Sequence, residues 1–220
     1  MQTQDAPADF IIKFWPWFEA NRQRLIITAF AVVAVLFVWY YITTQKAQNA
    51  IYAGQAYTQL QLNLPPNPTV QQVADAFNQL AQKYSGTVAG ERAQLQAAAV
   101  LFSAARYPDA QATFQTFLGA NSGSSLAPAA QFGVAARLEA QNQLDDAATA
   151  YRAVTTSYPD SSEALPAKFS LGRILESQGK LTEATSCYQE VTRSPLAGSL
   201  ASEAAQRLSQ IAATKPAAKS

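Results

Sequence analysis

The residues with the most chemical promise are few. Asp145 and Asp146 are adjacent carboxylates, Asp160-Ser161-Ser162-Glu163 follows Pro159, Cys187 is the one thiol, and Arg173 and Glu176 stand three apart. Paired carboxylates can run general acid–base chemistry, and a thiol can act as a nucleophile. The partners that such chemistry needs are missing. The 220 residues include no His and one Cys, which removes His-based acid–base pairs, Ser-His-Asp triads, His/Cys zinc sites and an internal disulfide. Gly123-Ser124-Ser125 has no Lys to complete a phosphate loop. Asp145-Asp146 suits the start of a helix, where carboxylates satisfy free N–H groups, and Asp160 to Glu163 has the form of a capping sequence. Cys187 fits a small apolar packing role. The sequence therefore predicts a noncatalytic protein without metal or cofactor.

Charge narrows the partners. Sixteen Lys and Arg nearly cancel fifteen Asp and Glu, and charged residues make up 14% of the chain, against roughly 25% in an average globular protein. With 44 Ala and 23 Gln, the composition suits closely packed alanine-rich helices with an amide-rich surface. No block of basic residues offers a footprint for nucleic acid, and no motif points to a small-molecule substrate.

One element is set by length alone. Leu25 to Ile42 is an 18-residue run without a charge, amide or proline; as a helix it covers about 27 Å, close to the roughly 30 Å of a bilayer's hydrocarbon. It ends in Trp39, Tyr40 and Tyr41, bulky residues that suit a headgroup boundary rather than a signal-peptide cleavage site. The lipid bilayer is thus an expected partner. Lys13, Arg22 and Arg24 precede the run and only Lys46 closely follows it, so the N-terminus is expected to stay inside. Ahead of the span, Trp15, Trp17 and neighbouring aromatics crowd around Pro16. They form either a short interfacial segment before the chain turns into the bilayer or an aromatic belt that fixes depth. The expected divisions are an N-terminal segment 1–24, a span 25–42, and a helical extension with a Pro-rich linker 43–68. A helical domain 69–213 and a disordered tail 214–220 complete them.

Beyond the prolines the chain repeats itself at an offset of 37. Ala110, Ala147 and Ala184 recur, each followed four residues on by Phe114, Tyr151 or Tyr188, with Phe77 one step earlier. Leu80, Phe117, Val154 and Val191 form a matching series, and Ala98, Ala135 and Gly172 precede Leu101, Leu138 and Leu175 by three. These spacings place a small residue and a leucine on one helix, facing an alanine and an aromatic on the next. Each hairpin leaves an apolar edge that the next one buries, so the units must stack. Ser199 to Ala213 is expected to be a closing helix.

The order small, Leu, Ala, aromatic, with Pro159 twelve residues after Ala147, resembles tetratricopeptide repeats over about 77–211. The fold class that follows is all-α, an N-terminal transmembrane helix followed by a tetratricopeptide-like α-solenoid. The full layout resembles a bacterial single-span membrane family that includes the ancillary subunit of the Sec translocon. That resemblance implies a cell inner membrane protein with an extracytoplasmic (periplasmic) domain, docking proteins such as the Sec channel and chaperones. The tetratricopeptide resemblance implies that first helices line an inner surface at Leu95, Ala99 and Phe102, at Phe132, Ala136 and Glu139, and at Phe169, Arg173 and Glu176. Core packing competes for each Phe, and an ion pair within one helix competes for Arg173 and Glu176. The alternative function is a structural or self-associating component of envelope or cell-wall assembly.

Overall fold

The computed structural model describes the backbone of residues 7–214 and the side chains of residues 15–213. Among the described residues all regular structure is helical: α1 Pro7–Leu62, α2 Val70–Lys83, α3 Val88–Ser103, α4 Tyr107–Ala120, α5 Ala127–Ala140, α6 Leu144–Ser157, α7 Ala164–Ser177, α8 Leu181–Arg193 and α9 Ser199–Thr214. The chain divides into a unit of residues 1–52 and a unit of residues 53–220. The tail beyond Thr214 lies outside the described residues.

In the first unit α1 is long and apolar enough to cross a membrane, and its apolar run is unburied. Phe30, at 73% exposed, is representative. The one hydroxyl inside the run before its aromatic end, on Thr28, donates to the Arg24 carbonyl at 2.6 Å, so it is not left without a partner. Of the two alternatives for the aromatic segment, the one that needs a turn ahead of the span is not met, because α1 continues unbroken through Pro16 into the apolar run. A proline removes one backbone donor, and the flanking turns retain theirs. Trp15, Trp17, Trp39, Tyr40 and Tyr41 are all exposed on this helix.

The second unit starts sooner than the prolines suggest. Ala53 is fully buried, and Ala56, Tyr57 and Leu60 pack against the core of α2 to α4. The Tyr57 ring lies 5.9 Å from that of Phe77, matching Phe132 on Tyr151 at 5.4 Å and Phe169 on Tyr188 at 5.6 Å. The end of α1 therefore acts as the first helix of a hairpin with α2, and residues 53–62, expected to extend the membrane helix outward, do so as helix and also belong to the stack. Three further hairpins follow, α3/α4, α5/α6 and α7/α8.

Local chemistry sets the ends. Thr69 and Gln72 form a reciprocal capping box on α2, at 3.2 and 2.9 Å. Each first helix of the later hairpins closes in the same way: the N–H groups of Arg106, Gln143 and Lys180 reach back to the carbonyls of Leu101, Leu138 and Leu175, all at 2.9 Å. The residue before each has positive φ, namely Ala105 at 57°, Asn142 at 58° and Gly179 at 74°, as this helix termination requires. The period of 37 is thus written into backbone geometry as well as packing.

Inside the stack, Ala98, Ala135 and Gly172 are buried beside Leu101 and Leu175, with Phe77, Phe117, Tyr151, Val154, Tyr188 and Val191 filling the hairpin interiors. Two sequence expectations about caps fail. Neither Asp145 nor Asp146 makes a capping bond on α6; both lie in its first turn, where the helix dipole favours them, and Asp145 accepts from Gln178 of the next hairpin at 2.9 Å. Glu163 likewise caps nothing, because Ser161 is engaged in a turn to the Tyr158 carbonyl at 2.9 Å. Helix α9 closes the stack. Its Ala204, Leu208 and Ile211 face inward, while Ser202, Ala205, Gln206 and Ser209 are exposed, an outer face with nothing large and apolar to bury.

Candidate docking groove

A groove of about 420 Å3 lies between consecutive first helices, lined by Tyr57, Arg92, Leu95, Gln96, Ala99, Phe102, Phe114, Ala129, Phe132, Gly133 and Ala136. The repeat explains its shape. Leu95 and Phe132, Gln96 and Gly133, and Ala99 and Ala136 are each 37 apart, so parallel helices α3 and α5 present the same register to one space. Small residues at the latter positions keep that space open. Phe102 is half-buried with its ring 5.7 Å from Tyr107 in an edge contact. The expected inner-surface residues Leu95, Ala99, Phe102, Phe132 and Ala136 come together here. Tyr57 and Arg92 were missed by the sequence reading. The first lay in the expected helical extension ahead of the repeats, although its spacing of 20 to Phe77 nearly matches the 19 from Phe132 to Tyr151 and from Phe169 to Tyr188.

The next interval, between α5 and α7, is bridged by charged side chains instead of being apolar. Phe169 is only 7% exposed and packs on Tyr188, so it belongs to the core and not to the inner surface. Arg173 bonds Glu139 of the preceding hairpin and does not pair with Glu176 on its own helix. Glu139 also accepts the Tyr151 hydroxyl at 2.8 Å. The pattern recurs one hairpin on, where Glu176 accepts the Tyr188 hydroxyl at 2.7 Å and lies 3.7 Å from Arg207 on α9. Glu139, Arg173 and Glu176 line a separate depression of about 580 Å3 with Leu144, Ile174, Ser177 and Arg207. Its charges are already matched across hairpins. In the α3/α4 hairpin the corresponding Glu and Tyr are Phe102 and Phe114, so the polar tie is replaced by the apolar wall of the groove.

Burial, then the hydrogen bond to Glu139, pushes the Tyr151 hydroxyl above the ordinary tyrosine range; burial and Glu176 do the same for Tyr188. A raised folded-state value means that the stabilisation is complete below the unfolded value of about 10 and is lost as pH rises above it. Urea stability is expected to fall between about pH 9 and pH 11, and the double variant Tyr151→Phe/Tyr188→Phe to flatten that fall. An equal decline in both proteins would refute the assignment.

Two other groups offer no reaction centre. Cys187 is half-buried, and burial followed by the nearby Glu190 pushes its thiol upward, toward the unreactive protonated form. Arg137, 7% exposed, donates to Gln141 at 2.6 Å and Gln143 at 3.1 Å, leaving its Nε without a partner. Among the described residues no group of His, Cys, Asp or Glu could hold a metal ion.

These stacked hairpins define an all-α repeat protein suited to protein–protein interaction. Residues 16–215 match the family model of the tetratricopeptide repeat-like domain, and the chain belongs to that family. No curated protein matches the sequence. Among solved structures, a Podosopora anserina putative kinesin light chain with nearly identical TPR-like repeats shares 14% identity at a TM-score of 0.47, over 79% of this chain and 98% of that one. A point variant of that same protein shares 15% at 0.46, over 77% and 93%.

Proposed function

We propose that the protein is a noncatalytic scaffold, anchored by one span in a bacterial cytoplasmic membrane, that holds its repeat domain outside the cytoplasm for other proteins to dock on. The resemblance to the Sec-associated family puts the Sec channel and extracytoplasmic chaperones first among the partners. The observation that carries the docking reading is the open apolar groove between α3 and α5, in a stack whose next interval is bridged by the Arg173–Glu139 ion pair. Anchoring is supported by the unburied apolar run of α1, and the orientation by Arg22 and Arg24 ahead of it. End-to-end self-association is less well supported, since α9 ends the stack on a polar face.

A photoreactive side chain in place of Phe132, activated in native membranes, is expected to crosslink the chain to an extracytoplasmic or channel protein. Recovery of neither class, with the same probe at exposed Gln189 as a control, would count against docking through this groove. Protease added to intact spheroplasts should digest the repeat domain; complete protection would reverse the orientation.

A further inference from the structure

The groove is apolar but not uncharged, and its single lining charge is Arg92. Arg92, Leu95, Gln96, Ala99 and Phe102 follow one another at intervals of three, one, three and three along α3, so they form a single stripe. From Arg92 to Phe102 that stripe is about 15 Å long. Arg92 stands at one end, with Leu95 and the in-register Phe132 about one turn along, Ala99 and Ala136 a turn further, and Phe102 at the far end. Further along the stack Arg173 is paired with Glu139 and Arg207 with Glu176, and Arg137 of α5 is buried against Gln141 and Gln143. Arg92 is exposed, with no hydrogen bond or ion pair to any described residue. An apolar segment entering the groove would bring its own surroundings against this guanidinium, and only an acceptor, best a carboxylate, would match it as water is excluded.

We infer that the groove selects segments of partner proteins that carry one carboxylate about one to two helical turns from a pair of apolar side chains, with Arg92 receiving the carboxylate. This rests on the docking reading above and adds the rule by which a partner is chosen. Charge complementarity fixes the occupant: a Lys at the same place would face Arg92 directly, and a wholly apolar segment would leave it unmatched.

The test uses the full chain in phospholipid nanodiscs and three fluorescein-labelled helical peptides of Leu, Ala and Gln. They are identical except for Glu, Gln or Lys placed four residues before the first Leu. The Glu peptide is expected to bind about tenfold more tightly than the Gln peptide, and the Lys peptide more weakly than either. Arg92→Gln should equalise Glu and Gln, Arg92→Glu should reverse the order of Glu and Lys, and Ala99→Trp, which fills the groove, should weaken all three. Circular dichroism confirms that the variants fold, and Arg92→Gln alone suffices should Arg92→Glu fail to do so. The inference is overturned by equal binding of the Glu and Lys peptides, by a preference that survives both Arg92 substitutions, or by no saturable binding of the Glu peptide. Displacement of that peptide by micromolar palmitate would also overturn it in favour of an acyl chain. So would a dimer that Ala99→Trp converts to monomer, in favour of a second copy. If crosslinking from position 132 succeeds while the peptides show no charge preference, docking stands and the selection rule alone falls.

Discussion

Gly90→Ala is expected to destabilise the repeat domain by about 3 kcal/mol, at the upper end for a single added methyl. Gly90 is buried in the first turn of α3, and its N–H donates to the capping Thr87 hydroxyl at 3.1 Å. A Cβ there would overlap the carbonyl oxygen of Tyr84 and approach its carbonyl carbon to 2.9 Å. The obstacle is backbone, so no side-chain rotation relieves it. The Tyr84 carbonyl is also held by Thr87, through its N–H at 3.2 Å and its hydroxyl at 2.7 Å, so the whole α2–α3 turn would have to move. Urea unfolding followed by circular dichroism measures the loss. Gly119→Ala, at an exposed site with nothing near its Cβ position, should be neutral or slightly stabilising. Similar midpoints for the two variants would show that the turn is softer than its hydrogen bonds imply.

Phe117→Ala is expected to cost about 3–5 kcal/mol. Phe117 is fully buried in the core that α2, α3 and α4 share, at the register held by Leu80, Val154 and Val191 elsewhere. Truncation leaves a cavity in a core where six of the other ten buried residues are alanines, too short to fill it. Phe117→Val, the residue found at two of the other three positions, should recover part of the loss, because it removes fewer buried atoms. In a stack whose units contact mainly their neighbours, damage near one end also uncouples that end. A broadened or two-step melt is therefore expected for Phe117→Ala, and a single sharp transition at the unaltered midpoint would contradict the packing described.

Much of this architecture was legible before any coordinate. The 37-residue recurrence of Ala110, Ala147 and Ala184 with Phe114, Tyr151 and Tyr188 placed every hairpin from α3 to α8, because helix packing demands the same small and large side chains at each crossing. The closing helix was legible for the same reason. The first hairpin was not. Its first helix is the end of α1, its Tyr57 lies one residue out of register, and a proline-rich loop separates it from α2. The cap assignments at Asp145 and Glu163 failed because a side chain's acceptor can be drawn to another hairpin, or its neighbour held in a turn, and neither shows in local spacing.

The sequence by itself determined the helices, their period, the apolar run and the absence of His-based chemistry, since these depend on residue type and on separations along one chain. Which of three equivalent first-helix positions faces open space was decided by tertiary structure alone. Leu95, Phe132 and Phe169 occupy the same place in the repeat, yet two line a groove and the third is buried. The difference comes from what stands across the interval: Ala99 and Ala136 leave room between α3 and α5, whereas Arg173 reaching to Glu139 ties α7 to α5. A side chain's availability depends on neighbours 34 or more residues away, and only folding brings those neighbours together.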